Sequence, residues 1–139
     1  MSLRVVFVAG GLALFGFTAP ARADPCEAPL PNQVGVQFSG TVRYVADGDS
    51  LCVGKIADPH AWIEVRLADF NAPELHEDRG VQGKAALERI ALHREVTCTT
   101  ERGRSGRVIS FDRVIARCRV GSQPIDDMLR QARAPEGGN

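Results

Sequence analysis

The chain has 139 residues, with 17 basic and 17 acidic side chains and no formal net charge. That length holds one small domain and excludes a multidomain enzyme, and the even charge excludes a global basic field that would gather nucleic acid from a distance. With one Trp and one Tyr, stacking platforms of the kind used by single-strand binders are scarce.

At the start of the chain Arg4 precedes an apolar run from Val5 to Phe17, and Ala21-Arg22-Ala23 closes it ahead of Asp24. The pattern predicts a secretory signal peptide over residues 1–23, cleaved after Ala23. The run is shorter than the roughly 20 apolar residues a spanning helix needs, so no membrane attachment is expected after cleavage. A periplasmic or secreted monomer is the expectation. In such a compartment an even cysteine count reads as disulfides. Cys26, Cys52, Cys98 and Cys118 allow three pairings. Cys98 with Cys118 is favoured because both sit in strand-like runs, which leaves Cys26 to tie the N-terminal segment to Cys52.

Residues 24–33 are rich in Pro and aperiodic, and predict an extended leader. One domain follows over residues 34–134. Val34, Val36 and Phe38 alternate with small or polar residues, Gly40 interrupts, and Val42 and Tyr44 resume the alternation up to an Asp-Gly turn. A glycine inside such a run predicts a bulge or sharp bend. Leu51 and Val53 make a return strand, and a third strand is expected from Trp62 to Phe70. There Ile63, Val65 and Leu67 face one way and Glu64, Arg66 and Ala68 the other. Helix formers from Val81 to Leu92 predict a helix. Two more strands, Glu95 to Thr100 and Val114 to Val120, flank an arginine-rich loop. A final amphipathic helix is expected after Ser122 as N-cap, carrying Ile125, Met128, Leu129 and Ala132. Residues 135–139 are expected to be disordered. The fold class is mainly β with helices: a five-stranded barrel of the OB type with two helices.

Three short stretches carry chemistry. Asp47 and Asp49 flank Gly48 and place two hard oxygen donors at one turn, which suits Mg²⁺ or Ca²⁺ better than zinc. Asn71 offers a side-chain oxygen and Ala72 a backbone carbonyl. Arg66 and Arg113 are forked donors that suit phosphate, and Glu74 follows Pro73 at a strand exit. Between Glu101 and Arg119 six arginines stand against two acids, and that segment is the one candidate phosphate-facing patch. His60, His76 and His93 lack metal-ligand spacing, and no serine-histidine nucleophile pair is visible.

The run Gly40-Thr41-Val42 through Asp47-Gly48-Asp49-Ser50, then Arg66-Leu67 and Ala72-Pro73-Glu74, then Arg113-Val114-Ile115-Ala116, resembles the staphylococcal nuclease (thermonuclease) family across roughly residues 39–134. The resemblance implies an OB-fold nuclease that hydrolyses DNA and RNA with the help of Ca²⁺. It implies Asp49 and the Ala72 carbonyl as metal ligands, with Asn71 standing where the family has a second ligating aspartate. Arg66 and Arg113 match its phosphate-binding arginines, Glu74 its general base, and Asp47 and Ser50 its supporting positions. Nucleic acid is the implied partner, bound weakly and with strong salt dependence. The alternative expectation is a catalytically impaired barrel that binds nucleic acid, an anionic ligand or a protein.

Overall fold

The computed structural model describes residue 16 and residues 24–137; the rest of the expected signal peptide and residues 138–139 lie outside the described residues. Among the described residues seven strands and two α-helices follow in the order β1 (Gln37–Asp47), β2 (Ser50–Gly54), β3 (Ile63–Leu67), α1 (Gly80–Ala91), β4 (Glu95–Thr100), β5 (Ile109–Ser110), β6 (Arg113–Val120), β7 (Gln123–Pro124) and α2 (Ile125–Gln131), with a 3-10 turn over Pro59–Ala61. Strands β3, β2, β1, β4 and β6 pair in that order, and a parallel pairing of β3 with β6 closes them into a five-stranded mixed barrel. The expected OB-type barrel with two helices is the observed architecture. The two-residue strands β5 and β7 extend β6 and are absent from the sequence reading, because they are too short for alternation to show.

The long strand β1 serves two partners. Residues Gln37–Thr41 pair with β4, and Thr41–Asp47 pair with β2. The change of partner falls at Thr41, next to Gly40, where an added Cβ would meet the Gly54 carbonyl carbon at 2.8 Å. Register shifts follow between Val42 and Tyr44 and between Val45 and Asp47, so the expected bend lies just past the glycine, and bulges there increase the strand's twist. Inside the barrel Val42, Val45, Leu51, Val53, Val65, Leu67, Val96, Val114 and Ala116 are buried. Ala86, Leu87 and Ala91 of α1 and Ile125 and Leu129 of α2 join the same core. Full burial of each such Val or Leu contributes about 1.5–3 kcal/mol.

Both expected disulfides are present. Cys98 and Cys118 are direct partners across β4 and β6, with Cα atoms 4.0 Å apart, and Cys26 joins Cys52 on β2 with Cα atoms 5.7 Å apart. Two disulfides fit an oxidising compartment. Among the described residues no helix is long and apolar enough to cross a membrane. The leader has no regular element, as expected. It is tied down by the Cys26 disulfide, by Glu27 and Ala28 amides donating to the carbonyls of Pro59 and Trp62, and by the Thr100 hydroxyl donating to Gln33.

Four boundaries differ from expectation by more than one residue. Strand β1 starts at Gln37 rather than Val34. Strand β3 ends at Leu67 rather than Phe70, because residues 67–71 wrap around the Arg66 guanidinium instead of continuing the ladder. Helix α2 starts at Ile125 with Pro124 at the N-cap position and no side-chain cap, so Ser122 is not the cap; Asp126 and Asp127 favour that end through the helix dipole. The expected tail is held as far as residue 137. Pro135 is buried, Glu136 pairs with Arg130 at 2.8 Å, and the Gly137 amide donates to the Asn71 carbonyl at 2.7 Å.

Candidate functional site

The β1–β2 hairpin carries the first cluster. Its turn is tightened by the Asp49 amide donating to Asp47 Oδ1 at 3.0 Å. Gly48 lets the tip lie against the start of α1: a Cβ there would meet Ala72 Cβ at 2.5 Å and the Gly83 carbonyl carbon at 3.1 Å. This close approach turns Asp49 inward, 4% exposed. Its Oδ2 accepts from the Ala72 amide at 2.7 Å, and its Oδ1 from the Ser50 hydroxyl at 3.4 Å.

Arg66 lies across β2–β3 from Ser50 in register. Its Nη1 donates to the carbonyls of Leu67 (2.5 Å) and Phe70 (2.7 Å), while its Nη2 donates to Asn71 Oδ1 at 2.9 Å and sits 3.4 Å from Asp49 Oδ2. Arg113, at the start of β6, donates from Nη1 to Ser50 Oγ at 2.7 Å. Asp49 and Ser50 therefore link the two guanidiniums at one end of the barrel. Burial, opposed by Arg66 and reinforced by the neighbouring Asp47 charge, raises the Asp49 carboxyl from 3.8 to about 7.

Glu74 stands apart from this group. It is exposed in the turn between Pro73 and α1, its amide donates to Glu77 Oε2 at 3.2 Å, and its own carboxylate makes no hydrogen bond or ion pair among the described residues. The structure thus brings Asp47, Asp49, Ser50, Arg66, Asn71, Ala72 and Arg113 together and leaves Glu74 at their margin.

Calcium takes six to eight oxygen ligands. Every side-chain oxygen that the resemblance assigns to it here already accepts from a protein N–H or O–H: Asp49 from Ser50 and Ala72, Asn71 from Arg66. The cation within reach of these oxygens is Arg66 itself. Asp69, just past the end of β3, pairs with Arg117. A calcium ion at Asp49 would share oxygens that already accept protein donors and would stand beside the Arg66 guanidinium.

Three residues beyond the sequence reading line a cleft of ≈ 550 Å³ beside this group. Asp24, Glu64 and Asp112 share it with Ala46, Asp47, Ser50, Phe111 and Arg113. Glu64 lies across from Cys52 in register and on the same outer face as Arg66, yet it is only 5% exposed. Burial, then the hydrogen bond to Asp24 and the charges of Asp24 and Asp112, push its carboxyl up to about 8 against the pull of Arg113. Its shared facing parity with Arg66 was the available signal in the sequence. Phe111, 91% exposed with φ 57°, occupies the first position of the two-residue turn between β5 and β6. A bulky residue in that region of φ is uncommon. No periodic signal announces a turn between strands this short.

No model of a known protein family matches the chain, and no curated protein matches it significantly.

Proposed function

We propose that the protein is a phosphodiesterase acting on nucleic acid. The observation that carries this reading is the linkage of Arg66 and Arg113 through the Asp49–Ser50 pair, with Arg113 and Ser50 lining an open cleft. Preorganised forked donors of this kind stabilise the charge that builds on a phosphoryl group in its transition state. Arg113 has Nη1 fixed by Ser50 and turns its remaining donors to the substrate. Arg66, held by two backbone carbonyls, adds positive charge without having to reorganise. Glu74, exposed and with a carboxylate that has no partner among the described residues, takes a proton from the attacking water as that water bonds to phosphorus and the ester oxygen leaves.

A second reading has its own support. Arg66 has already committed both terminal nitrogens to protein oxygens, and among the described residues Glu74 makes no hydrogen bond or ion pair with another member of the group. A site of that kind suits phosphate binding without hydrolysis. Incubation of the oxidised protein with single-stranded DNA and RNA, in Ca²⁺ and in chelator, beside a Glu74→Gln variant, separates the two. Cleavage that disappears in Glu74→Gln supports the phosphodiesterase. Binding without cleavage, weakened in Arg113→Ala, supports the binding module.

A further inference from the structure

Two clefts flank the short β5–β6 hairpin, and they differ in charge. The first, which residues 111–113 help to line, sets Asp24, Asp47, Glu64 and Asp112 against one guanidinium, that of Arg113. Such a cleft has no positive field with which to draw in a polyanion, so a nucleic-acid strand needs anchoring charge elsewhere. The second cleft, of ≈ 410 Å³, runs between the leader and the β4–β5 loop. Arg102 and Arg107 line it with Asn32, Gln33, Val34 and Ile109, and among the described residues no carboxylate does.

Both walls of this second cleft are held in place. Thr100, 1% exposed at the end of β4, donates its hydroxyl to the Gln33 carbonyl, accepts there from the Val36 amide at 2.9 Å, and receives the Gly35 amide on its own carbonyl at 2.9 Å. The loop that follows closes on itself. The Gly103 amide donates to the Arg107 carbonyl at 2.8 Å, the Gly106 amide to the Gly103 carbonyl at 2.9 Å, and Arg102 Nη1 to the Gly106 carbonyl at 2.8 Å. That last bond leaves Nε and Nη2 of Arg102 without a partner among the described residues. The whole guanidinium of Arg107 has none there either, nor has that of Arg104 on the same loop. Glu101, the one acid between β4 and β5, is engaged by Arg117 at 3.3 Å. The positive charge lining this cleft is therefore uncompensated by protein.

We propose that the Arg102–Arg107 cleft seats the sugar-phosphate backbone of a single-stranded nucleic acid, which then crosses the β5–β6 hairpin and brings a further phosphate to Arg113. Arg107 lies three residues before Ser110, the register partner of Arg113. At most about 11 Å of chain and one strand spacing of about 5 Å therefore separate the two arginines, well inside the several nucleotides a barrel of this type covers. Val34, 50% exposed, and Ile109 add apolar surface beside the guanidiniums, which suits a base next to its phosphate and not a free anion. The inference rests on the nucleic-acid part of the reading above, not on hydrolysis. It divides the work: Arg102 and Arg107 hold the strand, and Arg113 meets the phosphate that reacts.

Fluorescence anisotropy with a labelled oligothymidylate of about sixteen nucleotides tests it, on full, oxidised protein carrying Glu74→Gln so that the probe is not consumed. Arg102→Ala and Arg107→Ala are each expected to weaken binding about eightfold at about 50 mM salt and to flatten the log–log salt slope by about 0.7. Arg119→Ala removes the same charge from an exposed position on β6 that does not line the cleft, and is expected to change affinity less than about twofold. Circular-dichroism melts check that each variant is folded. Unchanged affinity and slope in both Arg102→Ala and Arg107→Ala, with binding weakened in Arg113→Ala, overturn the cleft and leave the nucleic-acid reading standing. An equal loss in Arg119→Ala also overturns it, since diffuse charge then suffices. Absence of binding by protein with all these arginines intact overturns both. Losses confined to Arg102→Ala and Arg107→Ala support the cleft even if the unaltered protein cleaves nothing.

Discussion

Asp49 is a carboxyl withdrawn from water and balanced by one guanidinium. Its folded-state pKa of about 7 lies above the unfolded value of 3.8, so the folded chain holds that proton more tightly. The resulting stabilisation is complete below the unfolded value and drains away as pH rises through about 7. Glu64, raised to about 8, adds in the same sense. Urea midpoints are therefore expected to fall between about pH 4 and pH 8, and Asp49→Asn to remove its share of that slope. The two arginines separate catalysis from stability. Each Ala substitution is expected to lower cleavage about 10²–10³-fold. Arg66→Ala also leaves Asp49 without its cation and should lower stability by about 3 kcal/mol, against about 1 kcal/mol for Arg113→Ala, which loses one hydrogen bond to Ser50. Denaturant melts beside rate measurements check both. Most members of this group were legible because Asp-Gly-Asp and a lone strand arginine are visible in one dimension. Asp24, Glu64 and Asp112 were not, since each looks like an ordinary surface acid until a disulfide and a turn place them together.

At the scale of elements, contact between the hairpin tip and α1 sets the site. Gly48→Ala drives a methyl into Ala72 and the backbone of Gly83. It should destabilise by about 1–3 kcal/mol and lower activity by displacing Asp49 from the Ala72 amide, as melts and cleavage assays together would reveal. Ser122→Ala, by contrast, should change stability by less than about 0.5 kcal/mol, because α2 begins after Pro124 and draws no cap from Ser122. The sequence reading chose Ser122 from its residue type alone. What decided the helix start was the short β7 ladder, where Gln123 and Pro124 pair with Val120 and Arg119. The end of β3 escaped for a similar reason: carbonyls of Leu67 and Phe70 turn toward Arg66, and side-chain-to-backbone bonds of that kind leave no trace in hydrophobic periodicity.

For the whole molecule, the number of arginines that meet phosphate sets how steeply nucleic-acid binding falls with salt. Two phosphate contacts on single-stranded DNA give a log–log slope of about −1.4, so affinity should fall about sevenfold from 50 to 200 mM salt. If Arg102, Arg104 and Arg107 also engage the strand, five contacts steepen the slope to about −3.5. Fluorescence anisotropy across that range reads which holds. The five-stranded barrel itself was legible from alternation and from one helix set between the third and fourth long strands. Its closing pair was not, because β3 and β6 share no turn to announce them. That closure bears on how the chain is made. Strand β6 pairs with β3, β4, β5 and β7, and α2 follows it. A ribosome that has released everything through β4 has released a sheet with an open seam, and sequence-distant pairing of this kind forms slowly. The nascent protein must wait, unfinished and threadable, until its last quarter emerges.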